Sequence, residues 1–263
     1  MIHHSNSAPK LAHTPLSVVC LVPSLTETLY DLGLGSSLVG ITTFCVFPPQ
    51  LRGQKVSVGG TKKVNMAKLK KLEPDLVIAN QEENTLDMVN ELSAFVPVWV
   101  TNIATISDCF EVIESMGTLF NKRTESQQWI QKIQYKRSNY LMRFSANHLK
   151  VIYFIWAKPY MAAASGTFIH FMLTDIGFVN TLADQTRYPV LEATDIEALD
   201  PDLVLLSSEP YEFSDQEAFE IGRYTHHAKT VFVDGTYFSW YGTRMAKSYD
   251  YFEQLMTRIT NSF

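Results

Sequence analysis

The sequence predicts an α/β fold of two Rossmann-like lobes with parallel sheets, joined by a single long rigid α-helix. Three observations carry that expectation. First, no Gly or Pro interrupts the chain between Gly117 and Pro159, so nothing there breaks a helix. Second, Leu-acid-Pro-Asp-Leu-Val occurs twice, in LKKLEPDLVIAN (Leu69 to Asn80) and in IEALDPDLVLLSS (Ile196 to Ser208), once on each side of that stretch. Third, short apolar runs alternate with amphipathic ones along the whole chain, the pattern of parallel sheets covered by helices. The expected divisions are an N-terminal lobe over 16–120, a connecting helix over 121–148 and a C-terminal lobe over 149–263.

The elements follow in order. SVVCLV (Ser17 to Val22) reads as a buried strand. Ser24 and Glu27 have capping-box spacing, so a helix is expected from Leu25 to Leu32, stopped by Gly33. Strands at Val39 to Thr42 and Val56 to Val58 flank the loop Thr43 to Pro49. A helix over Met66 to Leu72 ends before Pro74, which lacks an amide and disfavours helix in the residue before it. A strand follows at Leu76 to Ala79. Asn84 is expected to cap a helix over Thr85 to Phe95, with a strand at Val96 to Thr101 and a helix at Ile106 to Phe120 after it.

The long helix is expected to start at a Thr124 and Gln127 capping box and to run to Ala146, roughly 35 Å at the standard rise. Its buried face is read as Trp129, Ile133, Tyr140 and Phe144, with Ile130 and Leu141 beside them. Lys132, Lys136, Arg137 and Arg143 form the solvated face. The second lobe then offers a strand at Val151 to Trp156, a helix at Thr167 to Gly177 and a Thr194 and Glu197 capping box opening the second repeat. A strand at Leu203 to Leu206, a helix at Asp215 to Gly222, a strand at Thr230 to Val233 and a helix at Met245 to Ile259 complete it.

Composition excludes several classes of function. With 46% hydrophobic and 19% charged residues, the chain is globular rather than disordered. A net charge of -5 and the lack of a long Lys/Arg run argue against nucleic acid. No apolar run reaches the roughly 18 residues of a membrane span. The leader MIHHSNSAPKLAHTPL lacks a basic start followed by an apolar core, so the sequence as written reads as cytoplasmic. His3, His4 and His13 in that leader read as a disordered tail. Cys20, Cys45 and Cys109 are an odd count at wide spacings, which indicates neither a disulfide framework nor a zinc ribbon.

Ligands of open parallel sheets bind beyond the strand carboxyl ends. In the first lobe these places hold Ser24, the loop Phe44, Cys45 and Phe47, then Thr61 and Lys62, then Glu82, Glu83 and Asn84. In the second they hold Trp156, Tyr160 and Met161, then Glu209 and Tyr211, then Trp240 and Tyr241, with Tyr188 and Pro189 in the loop before the second repeat. Aromatic rings dominate, and rings in loops predict a flat apolar surface for a ligand. Glu82, Glu83, Asn84 and Glu209 would bond a polar rim. Cys45 is the one thiol placed to act as a soft metal ligand. No nucleophile elbow, phosphate loop, H-E-x-x-H or C-x-x-C motif occurs, and the adjacent His226 and His227 read as a surface turn. His170 reads as a packed helix residue.

PSLTETLYDLG after the first strand, LVGIT, FCVFPPQ, VGGTKKVNM, LEPDLVIAN, the uninterrupted helix and ASGTFIHFMLTDIG together resemble the helical-backbone substrate-binding proteins of ABC importers, from Val18 onward. The nearest branch is the cobalamin (vitamin B12) binding one; siderophore and haem binders belong to the same family. The resemblance implies a ligand held in a cleft between two lobes, with no catalysis and no intrinsic cofactor. It aligns Phe47, Thr61 and Tyr188 with Pro189 on the rings that line the corrinoid; Thr61 departs from that pattern, and Trp156, Tyr160 and Trp240 could supply the missing surface. It also implies periplasmic location and an importer permease as partner. Its two docking acids align with Ala67 and Thr194, neither of which is acidic. The first lobe instead presents Lys62, Lys63, Lys68, Lys70 and Lys71, and the second Glu192, Asp195, Glu197 and Asp200.

The reading is a solute-binding protein for a metal chelate, cobalamin or another corrinoid, serving ABC-type import as a monomer. The alternatives are a ferric-siderophore or haem binder and, from another class, a cytoplasmic enzyme that processes a corrinoid or metal chelate through Cys45 and Glu82. A third is a protein-interaction module using the oppositely charged lobe surfaces.

Overall fold

The structure, a computed structural model, describes residues 1–144 and 148–260. It divides into two compact units: Met1–Tyr135 with Trp240–Ala246, and Lys136–Ser239 with the chain from Lys247 on.

In the first unit six strands form one sheet. They are β1 (Ile2–His4), β2 (Val18–Cys20), β3 (Leu38–Ile41), β4 (Val56–Ser57), β5 (Leu76–Asn80) and β6 (Val98–Thr101), in the order β1-β6-β5-β2-β3-β4. Every pairing is parallel. Helices α1 (Pro23–Leu29), α2 (Met66–Lys71), α3 (Leu86–Ser93) and α4 (Ile106–Leu119) make the crossovers. One core cluster joins Val19 and Leu21 to Val77, Ala79, Val98 and Val100, with Val89 and Leu92 of α3 against them. These strands are near-continuous Val, Ile, Leu and Ala, as a sheet covered on both faces requires.

Helix α5 (Arg123–Phe144) carries the chain from one unit to the next. Its first residue is Arg123, so Thr124 lies inside the helix and the expected capping box does not start it; Gln127 reaches Glu114 instead. The expected end at Ala146 lies outside the described residues. Ile130, Ile133 and Tyr140 are buried as expected. The face read as solvated is only partly so: Lys136 pairs with Asp250 at 2.6 Å, Arg137 with Asp175 at 2.5 Å, and Arg143 with Glu253.

The second unit holds β7 (Lys150–Trp156), β8 (Tyr160–Ala162), β9 (Val179–Asn180), β10 (Val190–Leu191), β11 (Leu203–Ser207) and β12 (Lys229–Val233), ordered β10-β8-β7-β11-β12 with β9 also on β7. Its helices are α6 (Phe168–Asp175), α7 (Ala193–Leu199), α8 (Asp215–Gly222), α9 (Thr236–Ser239) and α10 (Met245–Thr260). β7, β11 and β12 are parallel, but β8 and β10 form an antiparallel arm beside β7. Strands of two or three residues carry too little periodicity to be read from sequence, which is why that arm was not expected.

Two further expectations change. The leader is not a loose tail: Ile2, His3 and His4 pair with Val98, Trp99 and Val100 and extend the first sheet by one edge strand. The Trp99 indole donates to the Ser5 carbonyl at 2.7 Å and fixes the turn that leaves it. Three helix starts also shift by one or two residues. α1 begins at Pro23, whose missing amide suits the first turn, so Ser24 is inside it. Thr85, not Asn84, caps α3, and Asp195 accepts the Glu192 amide at 2.8 Å to open α7, where Thr194 and Glu197 were expected to do so.

The repeated Pro-Asp signature does the same work in both units. The Asp75 carboxylate accepts the amides of Leu16 (2.8 Å) and Ser17 (2.9 Å), and the Asp75 amide donates to the Ser17 carbonyl. The Asp202 carboxylate accepts the Lys150 amide at 2.7 Å, and its own amide donates to the Lys150 carbonyl. Each aspartate thus ties the start of its own strand to the start of the neighbouring one, β2 or β7. The residue before each proline, Glu73 or Asp200, takes a left-handed conformation, φ 46° and 43°. Hydrogen bonds to a charged group contribute about 1.5–3 kcal/mol. Asp75→Ala should therefore destabilise the protein by about 2 kcal/mol in denaturant unfolding at neutral pH. The amides of Ser17 and Leu16 hold the Asp75 carboxyl below its usual range. That stability is present above the unfolded value of about 3.9 and is lost as pH falls through the folded one, so the gap between wild type and variant should narrow below about pH 4.

Candidate functional site

In a parallel sheet every carboxyl end faces the same edge, and the loops leaving β2 to β5 share one rim of the first unit. After β3 the chain turns through Phe44, Cys45 and Phe47. Phe44 is 57% exposed and its ring covers Gly60, where a Cβ would stand 3.2 Å from it. After β4, Thr61 is buried and its carbonyl accepts from the Asn84 amide at 2.8 Å. Lys62 is exposed and its ammonium donates to the Glu82 carbonyl at 2.5 Å. After β5, the Asn80 side chain accepts the amides of Glu82 and Glu83, shaping a turn that leaves both carboxylates half-buried at the rim.

Several expected contacts are spent inside the protein. Asn84 receives the Asn80 amide and donates to Thr61, so its amide closes the loop and is not free for a rim. Ser24 and Tyr241 are buried. Cys45 is fully buried, with its sulfur 3.2 Å from the Thr26 hydroxyl and 3.3 Å from that of Thr42. Burial pushes its thiol up, and the enclosed sulfur, bonded to two hydroxyls, presents no face to the rim. The reading of Cys45 as a soft ligand, and of an enzyme working through it, is corrected on this ground. Cys20 and Cys109 are buried and free as well, each pushed up to about 12 by burial. No group of three or more metal-binding side chains is gathered among the described residues.

Trp240 and Tyr241 also stand elsewhere than expected. Segment Trp240–Ala246 packs with the first unit. Trp240 meets Phe47 edge to face at 5.9 Å and is 7% exposed. Beside them lies a buried ion pair that no motif announced: the Arg244 guanidinium donates to Glu27 at 2.7 Å, both side chains 3% exposed. Glu27 reads from sequence as a cap residue of its own helix; the partner lies 217 positions away.

In the second unit the loops after β7, β11 and β12 carry the expected residues. Trp156 is 40% exposed and its ring lies 5.3 Å from that of Tyr211, leaving an open aromatic face. The Tyr211 hydroxyl donates to Glu217 at 2.7 Å and that of Tyr160 to Glu220 at 3.1 Å. Burial and Glu220 push the Tyr160 phenol up to about 12, and the bond to Glu217 raises that of Tyr211. Glu209 accepts from the Ser239 hydroxyl at 2.6 Å. Met161 pairs with Val190 across the antiparallel arm, next to the half-buried Tyr188, whose ring lies 5.5 Å from the Arg187 guanidinium. His226 and His227 are exposed, near Glu197, Asp200 and Asp202, and His170 bonds Asn180, so neither site belongs to these loops.

Residues 18–223 match the periplasmic binding protein family. The chain belongs to that family. The resemblance carried by its motifs therefore holds. The chain is 29% identical over 211 residues to an uncharacterized ABC transporter substrate-binding lipoprotein, YvrC of Bacillus subtilis strain 168, covering 76% of this chain and 66% of the lipoprotein. It is 22% identical over 240 residues to the vitamin B12-binding protein of Pectobacterium atrosepticum, covering 88% and 85%. Among solved structures, the periplasmic vitamin B12 binding protein BtuF of Vibrio cholerae has a TM-score of 0.75 at 19% identity over 91% of this chain and 95% of that one. The periplasmic heme binding protein HutB of the same species has a TM-score of 0.78 at 20% identity over 92% and 98%. At these identities the structural likeness establishes the fold. Among the described residues no helix is long and apolar enough to cross a membrane.

Because all three thiols are buried and burial pushes each one up, a thiol-specific reagent should titrate none of them in the native protein and all three in denaturant. A fast-reacting thiol in the native state would return Cys45 to the rim.

Proposed function

We propose that the protein is a binding component of an ABC importer that takes up a metal chelate, with a corrinoid such as cobalamin as the first choice. The observation that carries this is the open Trp156 and Tyr211 face in a chain of this family, flanked by phenols that are tied to carboxylates. A haem iron calls for an axial ligand from the protein, a histidine or a tyrosinate. Tyr160 and Tyr211 are held as neutral donors by Glu220 and Glu217, and no histidine stands in the strand-end loops described above, which leaves Tyr188, beside the Arg187 guanidinium, as the one named rim phenol a haem iron would turn to. A corrinoid or a ferric siderophore arrives with its metal already enclosed, and needs only flat apolar contact and hydrogen bonds. At each rim taken by itself, Glu82 and Glu83 in the first unit and Glu209 in the second favour a ligand bearing amides or amines over one bearing acids, because two anions brought together out of water repel. Cobalamin meets that condition better than a catecholate or a propionate does.

Family membership supports work outside the cytoplasmic membrane, and binding rather than catalysis. The importer surface would be unusual in charge. Ala67 on α2 and Thr194 on α7 are both exposed and neither is acidic, and α2 carries Lys68, Lys70 and Lys71.

Titration with cyanocobalamin, haem and a ferric siderophore, followed by tryptophan emission and by calorimetry, tests the reading. Cyanocobalamin should bind with one-to-one stoichiometry, be recovered intact and quench the emission. Trp156→Ala should cost at least about 1–2 kcal/mol of binding, the range of a central aromatic contact. Haem binding with a Soret shift that Tyr188→Phe abolishes would replace the corrinoid by haem, and silence from all three ligands would end the chelate reading.

A further inference from the structure

The Glu27 and Arg244 pair is out of place as a stabiliser. Two charges taken out of water cost several kcal/mol each, and a buried pair often does no better than apolar side chains of the same volume. What it does here is hold ring-bearing residues in place. The Arg244 guanidinium lies 4.1 Å from the centroid of Phe47 and 4.8 Å from that of Trp240. Those two rings meet edge to face, so guanidinium and rings form one packed group.

The backbone that delivers Arg244 is itself fixed. The Gly242 amide donates to the Cys109 sulfur at 3.1 Å, and the Thr243 amide to the Thr28 hydroxyl at 3.2 Å. Gly242 has φ 89°, and a Cβ there would collide with the Thr28 hydroxyl, so only glycine lets the segment seat against α1 and α4. Glu27 sits one helical position before Thr28 and receives the guanidinium end of the same segment. The Thr43 to Pro49 loop is anchored at its start, where the Thr43 amide and hydroxyl donate to the Gly59 carbonyl and Cys45 is buried; farther on, Phe44 is exposed and Phe47 half-buried.

From this we infer that Arg244, oriented by Glu27, is a positioning residue for the rim of the first unit: it sets the ring of Phe47, and with it the loop after β3, through its contact with both rings. The inference rests on the proposed binding role for its effect on affinity, but not for its effect on the loop. A guanidinium is essential, because its planar fork can bond Glu27 while resting against both rings, and lysine offers only a compact point charge.

The test compares Arg244→Lys, Arg244→Met and the milder Glu27→Gln with wild type, each studied below its own unfolding midpoint. Fluorotryptophan labelling reports Trp240, assigned with Trp240→Phe, and amide exchange reports residues 43–52. Arg244→Met should shift or broaden the Trp240 fluorine signal and speed exchange over 43–52 about tenfold or more, with far-ultraviolet circular dichroism unchanged. Arg244→Lys should keep the charge yet fail to restore either signal, and Glu27→Gln should fall between. If cyanocobalamin binds wild type, affinity should weaken about tenfold in Arg244→Lys with a smaller loss in Glu27→Gln. Variants that lose only thermal stability, with the fluorine signal and loop exchange at wild-type values, would overturn the inference. Full rescue by lysine would overturn the need for a guanidinium. If no chelate binds wild type, the proposed function falls, and the loop and fluorine signals still decide this inference.

Discussion

The constraint on which the rest depends is the parallel direction of the strands. A parallel strand can be reached only by a crossover, so each strand of the first unit points its carboxyl end to the same edge. That geometry brings the loops of Ser24, Phe44 to Phe47, Thr61 and Glu82 to one rim, although up to about sixty residues separate them in the chain. In the second unit β7, β11 and β12 do the same for Trp156, Glu209 and the turn before α9. Asp75 and Asp202 keep the strands in register at the opposite ends, which leaves the carboxyl ends able to vary in sequence.

At the first rim, polar and ring side chains divide into supports and surfaces. Asn80 and Asn84 take up backbone groups that would otherwise be buried without partners, and they shape the turn that carries Glu82 and Glu83. Cys45 lies under its loop, fixed between two hydroxyls. Phe47 and Trp240 pack on a guanidinium. What remains on the outside is Phe44, Lys62 and the edges of the two glutamates. The second rim is more open, with Trp156 and Tyr211 presenting a ring face and their neighbours Tyr160 and Glu220 supplying a bonded edge.

This division bears on ligand class. Phenols that donate to carboxylates are poor candidates for a metal's axial position, and buried protonated thiols are poorer still. On the proposed reading, such a protein would select by shape, apolar area and hydrogen bonding rather than by ligation. Selection of that kind suits a chelate whose metal is already saturated.

The sequence by itself determined the alternation of strands and helices, the twin Pro-Asp joints and the family, because these rest on local propensity and on motifs contiguous in the chain. Asp215 to Gly222 came out residue for residue, and most other elements within one to three residues. It also placed the aromatic loops at strand carboxyl ends, since that follows from order alone. Only the tertiary structure decided which of those residues are surface. Ser24, Cys45, Asn84 and Trp240 look the same in sequence as Phe44 and Trp156, and differ only in what folds over them. The leader strand could not be read because three residues gain their order entirely from pairing with Val98 to Val100. The Glu27 and Arg244 pair could not be read because a contact across 217 positions leaves no periodic trace, and its existence depends on the segment after β12 threading back against α1.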